Sequence, residues 1–120
     1  MCLIASSLLL VMAVFHGSGI NYVTDLIKES NADDLIKNIF PVLFIIPTVQ
    51  LAGFAILGVI ASTLKHQANK ILIPLSVLVF ADALLAFYLG ATLPGVVLLV
   101  PAILFLLAAL SNSSLQKAPA

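Results

Sequence analysis

The sequence predicts an all-α membrane protein: a four-transmembrane-helix antiparallel bundle, forming a single integral membrane domain over residues 1–120. Three observations carry this. Apolar residues make up 62% of the chain and Asp, Glu, Lys and Arg only 8%, against roughly 25% charged in an ordinary soluble domain. The few charges gather in short segments. Between them lie runs with almost no charge, each long enough for the roughly 20 apolar residues that a bilayer crossing needs. This composition excludes a soluble enzyme, a nucleic-acid binder and a disordered tail.

The spans follow in order from the charge gaps. Residues 1–24 carry no Asp, Glu, Lys or Arg, which places the first span at about 2–22. It lacks the positive n-region of a signal peptide, and no small-x-small site follows the apolar run cleanly, so it is expected to stay as a span. Residues 38–64 are again free of these charges and predict a second span over 39–64. Residues 71–116 contain only Asp82 and are far too long for one crossing. The cut falls at Gly90-Ala91-Thr92-Leu93-Pro94-Gly95, where glycine ends one helix and Pro94 opens the next. That leaves spans of about 71–90 and 94–111.

The one sizeable loop is expected between Asn21 and Lys37. Ser30 and Asn31 precede Asp33 and Asp34 with capping-box spacing, which would start a helix running through Leu35 and Ile36. Before it, either Tyr22, Val23, Leu26 and Ile27 lie along the membrane interface, or the first helix simply continues to Glu29. With four spans, Lys65, Lys70 and Lys117 share one side with the N-terminus, while Lys28 and Lys37 fall on the other. Lysine counting then puts both termini in the cytoplasm of a multi-pass cell-membrane protein.

Polar residues inside the spans are the functional candidates. An aspartate at the bilayer centre costs about 2.5–3.5 kcal/mol on insertion scales, and Asp82 stands near the middle of the third span. Gln50 falls near the middle of the second, at a matching depth when counted at about 1.5 Å per residue. His16 lies slightly nearer the outside. Small residues accompany them: Asp82, Ala86 and Gly90 on the third helix; Pro47, Gln50, Gly53, Leu57, Gly58 and Ala61 on the second; Ala13 and Gly17 beside His16. Such faces let membrane helices approach closely. The functional reading is a polar pocket that binds a headgroup, quinone or small ligand, or passes a proton. The structural reading is that the three residues bond to each other and fix helix register; for Gln50 and His16 that reading leads, for Asp82 function does. Asp82 is expected either to be protonated and bonded to Gln50 or a backbone carbonyl, or to pair with a charged His16.

The remaining residues suggest little chemistry. One cysteine, Cys2, allows no internal disulfide and no CxxC motif, and His16 and His66 are too few for a metal site. His66 reads as a solvated loop residue. Phe87 and Tyr88 read as interface anchors. The fourth span, apolar all round with a bend at Pro101, reads as facing lipid or another subunit.

The stretch Phe15-His16-Gly17, followed by Val49-Gln50-Leu51-Ala52-Gly53-Phe54-Ala55-Ile56-Leu57-Gly58, resembles the DoxX-like group of small bacterial membrane proteins. That group often has a histidine late in its first helix and an E-x-x-x-G-type pattern in its second, where this chain carries Gln50. The resemblance implies a four-helix membrane protein, redox-associated or of no known activity.

Three function classes remain. The first is a non-enzymatic lipid- or quinone-binding bundle, or an accessory subunit of a membrane complex. The second is a small transporter or proton-coupled carrier centred on Asp82. A membrane enzyme comes last, because no nucleophile–base pair or metal constellation is visible and no catalytic residue stands out. No cofactor is required, though a quinone or lipid suits the pocket. The expected partners are membrane lipids and either a second copy or a larger membrane complex, not nucleic acid. The topology is directly testable. With Cys2 replaced by Ser, a cysteine at Asn31 should react with an impermeant label from outside intact cells and one at Asn69 should not; equal labelling of both would end the four-span arrangement.

Overall fold

The computed structural model describes residues 1–64 and 67–117, side chains at 114–117 excepted. Lys65 and His66, with the loop role expected of them, lie outside the described residues. The described chain is helical: α1 (Cys2–Ser18), α2 (Ile20–Glu29), α3 (Asp34–Thr63), α4 (Ala68–Tyr88) and α5 (Thr92–Lys117). Four helical stretches are long and apolar enough to cross a membrane, namely Cys2–Glu29, Asp34–Thr63, Ala68–Tyr88 and Thr92–Ser113.

Local chemistry sets the helix ends. α1 and α2 are separated only by Gly19, whose backbone remains right-handed at φ −79°, so the first helix continues to Glu29 with a joint rather than a loop. Ser30 then closes α2. Its hydroxyl donates to the Ile27 carbonyl at 2.6 Å and accepts from the Ala32 amide at 3.2 Å. The expected capping box is therefore not formed: Ser30 is spent on the preceding helix, and Asp33 begins α3 without a side-chain cap bond. At the other turn, Gly90 has φ +78°. Its amide bonds the Phe87 carbonyl and the Ala91 amide bonds that of Ala86, at 2.9 and 2.8 Å, the paired pattern of a glycine-terminated helix. Pro94 falls in the first turn of α5, where no amide donor is needed.

Packing gives α5 a buried side that its uniform apolarity does not mark. Pro101, Ala102, Phe105, Ala108 and Ala109 are all buried, Phe105 completely. The fourth apolar helix buries one face against α4 and α1, while Leu93, Val96, Ile103 and Leu110 stay exposed on its other sides, the sides left for lipid or another subunit. Alanines at 102, 108 and 109 admit close neighbours, and uniform apolarity gave no sign of which side they would meet. α4 turns Leu72, Leu75, Ser76, Val79 and Ala83 inward, and the Ser76 hydroxyl donates to the Ala102 carbonyl at 2.8 Å. This buried stripe is offset from the Asp82–Ala86–Gly90 face that the small residues suggested.

On α3 the small stripe is used in part. Gly58 and Ala61 are buried, whereas Leu57 is exposed and Gly53 has nothing within 4 Å of a Cβ position. Phe87 and Tyr88 end α4 in different surroundings. Its ring lies against Gly95, where a Cβ would come within 2.8 Å of it, while Tyr88 alone stands out, 87% exposed.

The tightest glycine position lies where α1, α3 and α5 meet. A Cβ on Gly58 would collide with the Ser6 hydroxyl and would meet the Phe105 ring at 2.7 Å. Gly58→Val should lower stability by about 1–3 kcal/mol, measured by unfolding in mixed detergent micelles. Phe105→Leu in the same chain should recover part of the loss, and a neutral Gly58→Val would show that this contact is loose.

Candidate functional site

The three polar residues singled out above are brought together. His16 from α1, Gln50 from α3 and Asp82 from α4 line one cavity of about 240 Å³. Its other walls are Met12, Pro47, Leu51, Leu85, Ala86 and Leu98, with Leu89, Ala91 and Pro94 closing the end at the α4–α5 turn. The setting is apolar, with polar groups supplied by single residues on three helices.

Asp82 is held from across the helix pair. Gln50 Nε2 donates to both carboxyl oxygens, at 3.1 Å to Oδ1 and 2.9 Å to Oδ2. Of the partners expected for Asp82, Gln50 is the one found. The bond also shows that the two residues lie at one level. That level is not central in α4: at 1.5 Å per residue, Asp82 stands about 21 Å from the Ala68 end and about 9 Å from the Tyr88 end. The cavity accordingly reaches the Gly90 turn.

His16 takes a different partner. Its Nδ1 shares a hydrogen bond of 3.0 Å with Thr48 Oγ1, and its ring stacks on Phe44 with centroids 4.4 Å apart and planes 18° from parallel. Phe40 continues the aromatic row at 6.4 Å from Phe44. Gly17 makes the approach feasible, because a Cβ there would press on the Thr48 methyl at 3.0 Å. If Thr48 donates, Nε2 of His16 carries the proton; if Nδ1 donates, Nε2 is a bare acceptor. The ring is thereby fixed in place independently of Asp82.

Sequence reasoning missed Phe44 and Thr48. Their spacing with Phe40 is a signal, since Phe40, Phe44 and Thr48 recur every four residues on one face of α3. The turn residues Leu89, Ala91 and Pro94 carry no comparable signal, because only the path of the turn brings them over the cavity. Among the described residues no group of three or more His, Cys, Asp or Glu side chains could hold a metal ion.

Comparison with known proteins finds no matching family model, no matching curated relative and no matching solved structure.

The polar pair is open to measurement by itself. A double-mutant cycle of Gln50→Leu and Asp82→Leu should return a coupling of about 0.6–1.7 kcal/mol, the range found for side-chain hydrogen bonds between membrane helices. Zero coupling, read from detergent unfolding, would mean the two side chains do not hold each other.

Proposed function

We propose that this chain is a multi-pass cell-membrane protein, an antiparallel bundle of four spans with both termini cytoplasmic. Its role is to bind a small amphiphile, a lipid headgroup or a quinone-like molecule, without catalysing a reaction. It does so alone, as a homo-oligomer or as an accessory subunit of a membrane complex. One observation carries the reading: His16, Gln50 and Asp82 come from three helices and line the same apolar-walled cavity.

The physical argument is one of cost. Each of these polar side chains is expensive among apolar helices, and register alone would be served by the small-residue contacts at Gly17 and Gly58. Mostly apolar walls with a few convergent polar groups are the usual form of a small-molecule site. The cavity holds a headgroup or a compact ring, and a tail would continue between helices. A proton-coupled carrier is the second reading. It is favoured by the fact that, among the described residues, no lysine lines the cavity beside Asp82, so its carboxyl can exchange a proton or a ligand.

The test is retention. Protein purified in mild detergent should carry a lipid or quinone at near-stoichiometric amount, identified by extraction and mass spectrometry. Ala86→Phe, which fills the cavity without touching the polar trio's chemistry, should remove it. A bound amphiphile unaffected by Ala86→Phe, or an empty native protein, would overturn the reading.

A further inference from the structure

The polar groups of the cavity differ in what they can still offer a ligand. An ionised carboxylate has about four acceptor positions and no donor. Gln50 Nε2 engages each oxygen of Asp82 once, which leaves acceptor capacity on both. The Gln50 carbonyl oxygen is a further acceptor on the same side chain. His16 has one nitrogen committed to Thr48. Even with the second Gln50 N–H and, when Thr48 donates, the His16 Nε2–H left free, acceptor positions outnumber donors in the site.

Charge points the same way. The chain has no arginine, and among the described residues no lysine lines the cavity. His16, the one other titratable residue lining the cavity, is bonded to Thr48 and stacked on Phe44. Among the described residues Asp82 consequently meets the Gln50 amide and apolar walls, with no lysine beside it and His16 held by other partners. A carboxylate in such surroundings is relieved only by a proton or by a cation brought from outside.

We propose that the cavity takes a protonated amine carried on an apolar body, with Asp82 as its counter-charge and Gln50 as the second acceptor. This rests on the amphiphile-binding reading above and names the chemistry of its headgroup. A primary ammonium has three donors and no acceptor, the complement of what the site leaves free. A quinone presents only carbonyl acceptors, which leave the Asp82 carboxylate without a donor or a counter-charge. The ammonium comes from either of two sources, the ethanolamine headgroup of a phospholipid or a free long-chain amine, and both make the same contacts.

The experiment compares heads on one tail. The full chain in phosphatidylcholine nanodiscs is titrated with dodecylammonium and with dodecanol, with empty nanodiscs subtracted. Dodecylammonium should bind saturably and about tenfold or more tighter than dodecanol, the margin expected of a hydrogen bond to a charged group. Asp82→Asn keeps the side chain's size and its ability to accept from Gln50; it should abolish that preference, bringing the two heads to about equal affinity. Ala86→Phe should block both. Adding phosphatidylethanolamine to the disc separates the sources: displacement of dodecylammonium assigns the site to the lipid headgroup, and no displacement assigns it to a free amine. Equal affinity for the two heads, insensitive to Asp82→Asn but blocked by Ala86→Phe, would overturn the amine assignment and leave amphiphile binding standing. No saturable binding of either probe, with Ala86→Phe indistinguishable from the native chain, would overturn both. If Asp82→Asn fails to fold, the native chain's ratio between the two heads still decides the assignment.

Discussion

The close approach of α1 to α3 where Ser6 meets Gly58 is the constraint on which the rest of this molecule depends. Only glycine fits there, with the Ser6 hydroxyl and the Phe105 ring both occupying the space a side chain would need. The contact sets the register of the two helices. Moving up α1 from Ser6 to His16 and back along α3 from Gly58 to Thr48 covers equal lengths of chain. At that second level the same register delivers the His16–Thr48 hydrogen bond. Phe105 ties α5 into the arrangement, and α5 in turn carries α4 against its alanine face. Asp82 is thus positioned through contacts made far along the helices from it.

Among apolar helices, burial of apolar surface gives little reason to prefer one neighbour over another, because lipid tails serve an exposed leucine as well as a protein core does. Specificity has to come from shape and from polar bonds. Shape is supplied by glycine and alanine at the crossings, and by Gly17 and Gly58 in particular. Polar specificity comes from a small set of cross-helix bonds, Gln50 to Asp82, His16 to Thr48, Ser76 to the Ala102 carbonyl and, at the far end of the same helix pair, Asn69 to Ser113. The first two flank the cavity and the third pins α4 to α5 below it. One set of contacts therefore both orders the helices and leaves the cavity between them.

The proline distribution fits the same division. Pro41 and Pro47 stand inside α3, Pro74 inside α4 and Pro101 inside α5. Each removes one amide donor and frees one carbonyl four residues earlier. Apolar helices tolerate this where neighbouring groups approach closely. Pro47 lines the cavity wall one turn before Leu51, and the carbonyl it frees, at Leu43, adjoins Phe44 about two turns before Gln50.

The helices themselves were legible in the sequence, because charge-free runs of bilayer length leave a chain few alternatives to hydrogen-bonded helix. Gly90 and Pro94 marked the last turn for an equally local reason, one residue accepting positive φ and the other needing no donor. The shared level of Gln50 and Asp82 could be counted from helix rise alone. Burial could not be read the same way. Leucine, valine and alanine surround α5 on every side, so periodicity did not reveal that Phe105 and its alanines face inward. The choice of partner for His16 was equally hidden, since both Thr48 and Asp82 lie within plausible reach along a helix. Which of them it meets depends on the rotation and register of α1 against α3. Those are decided by steric fit at Gly17 and Gly58, a property of surfaces in contact that no single segment carries.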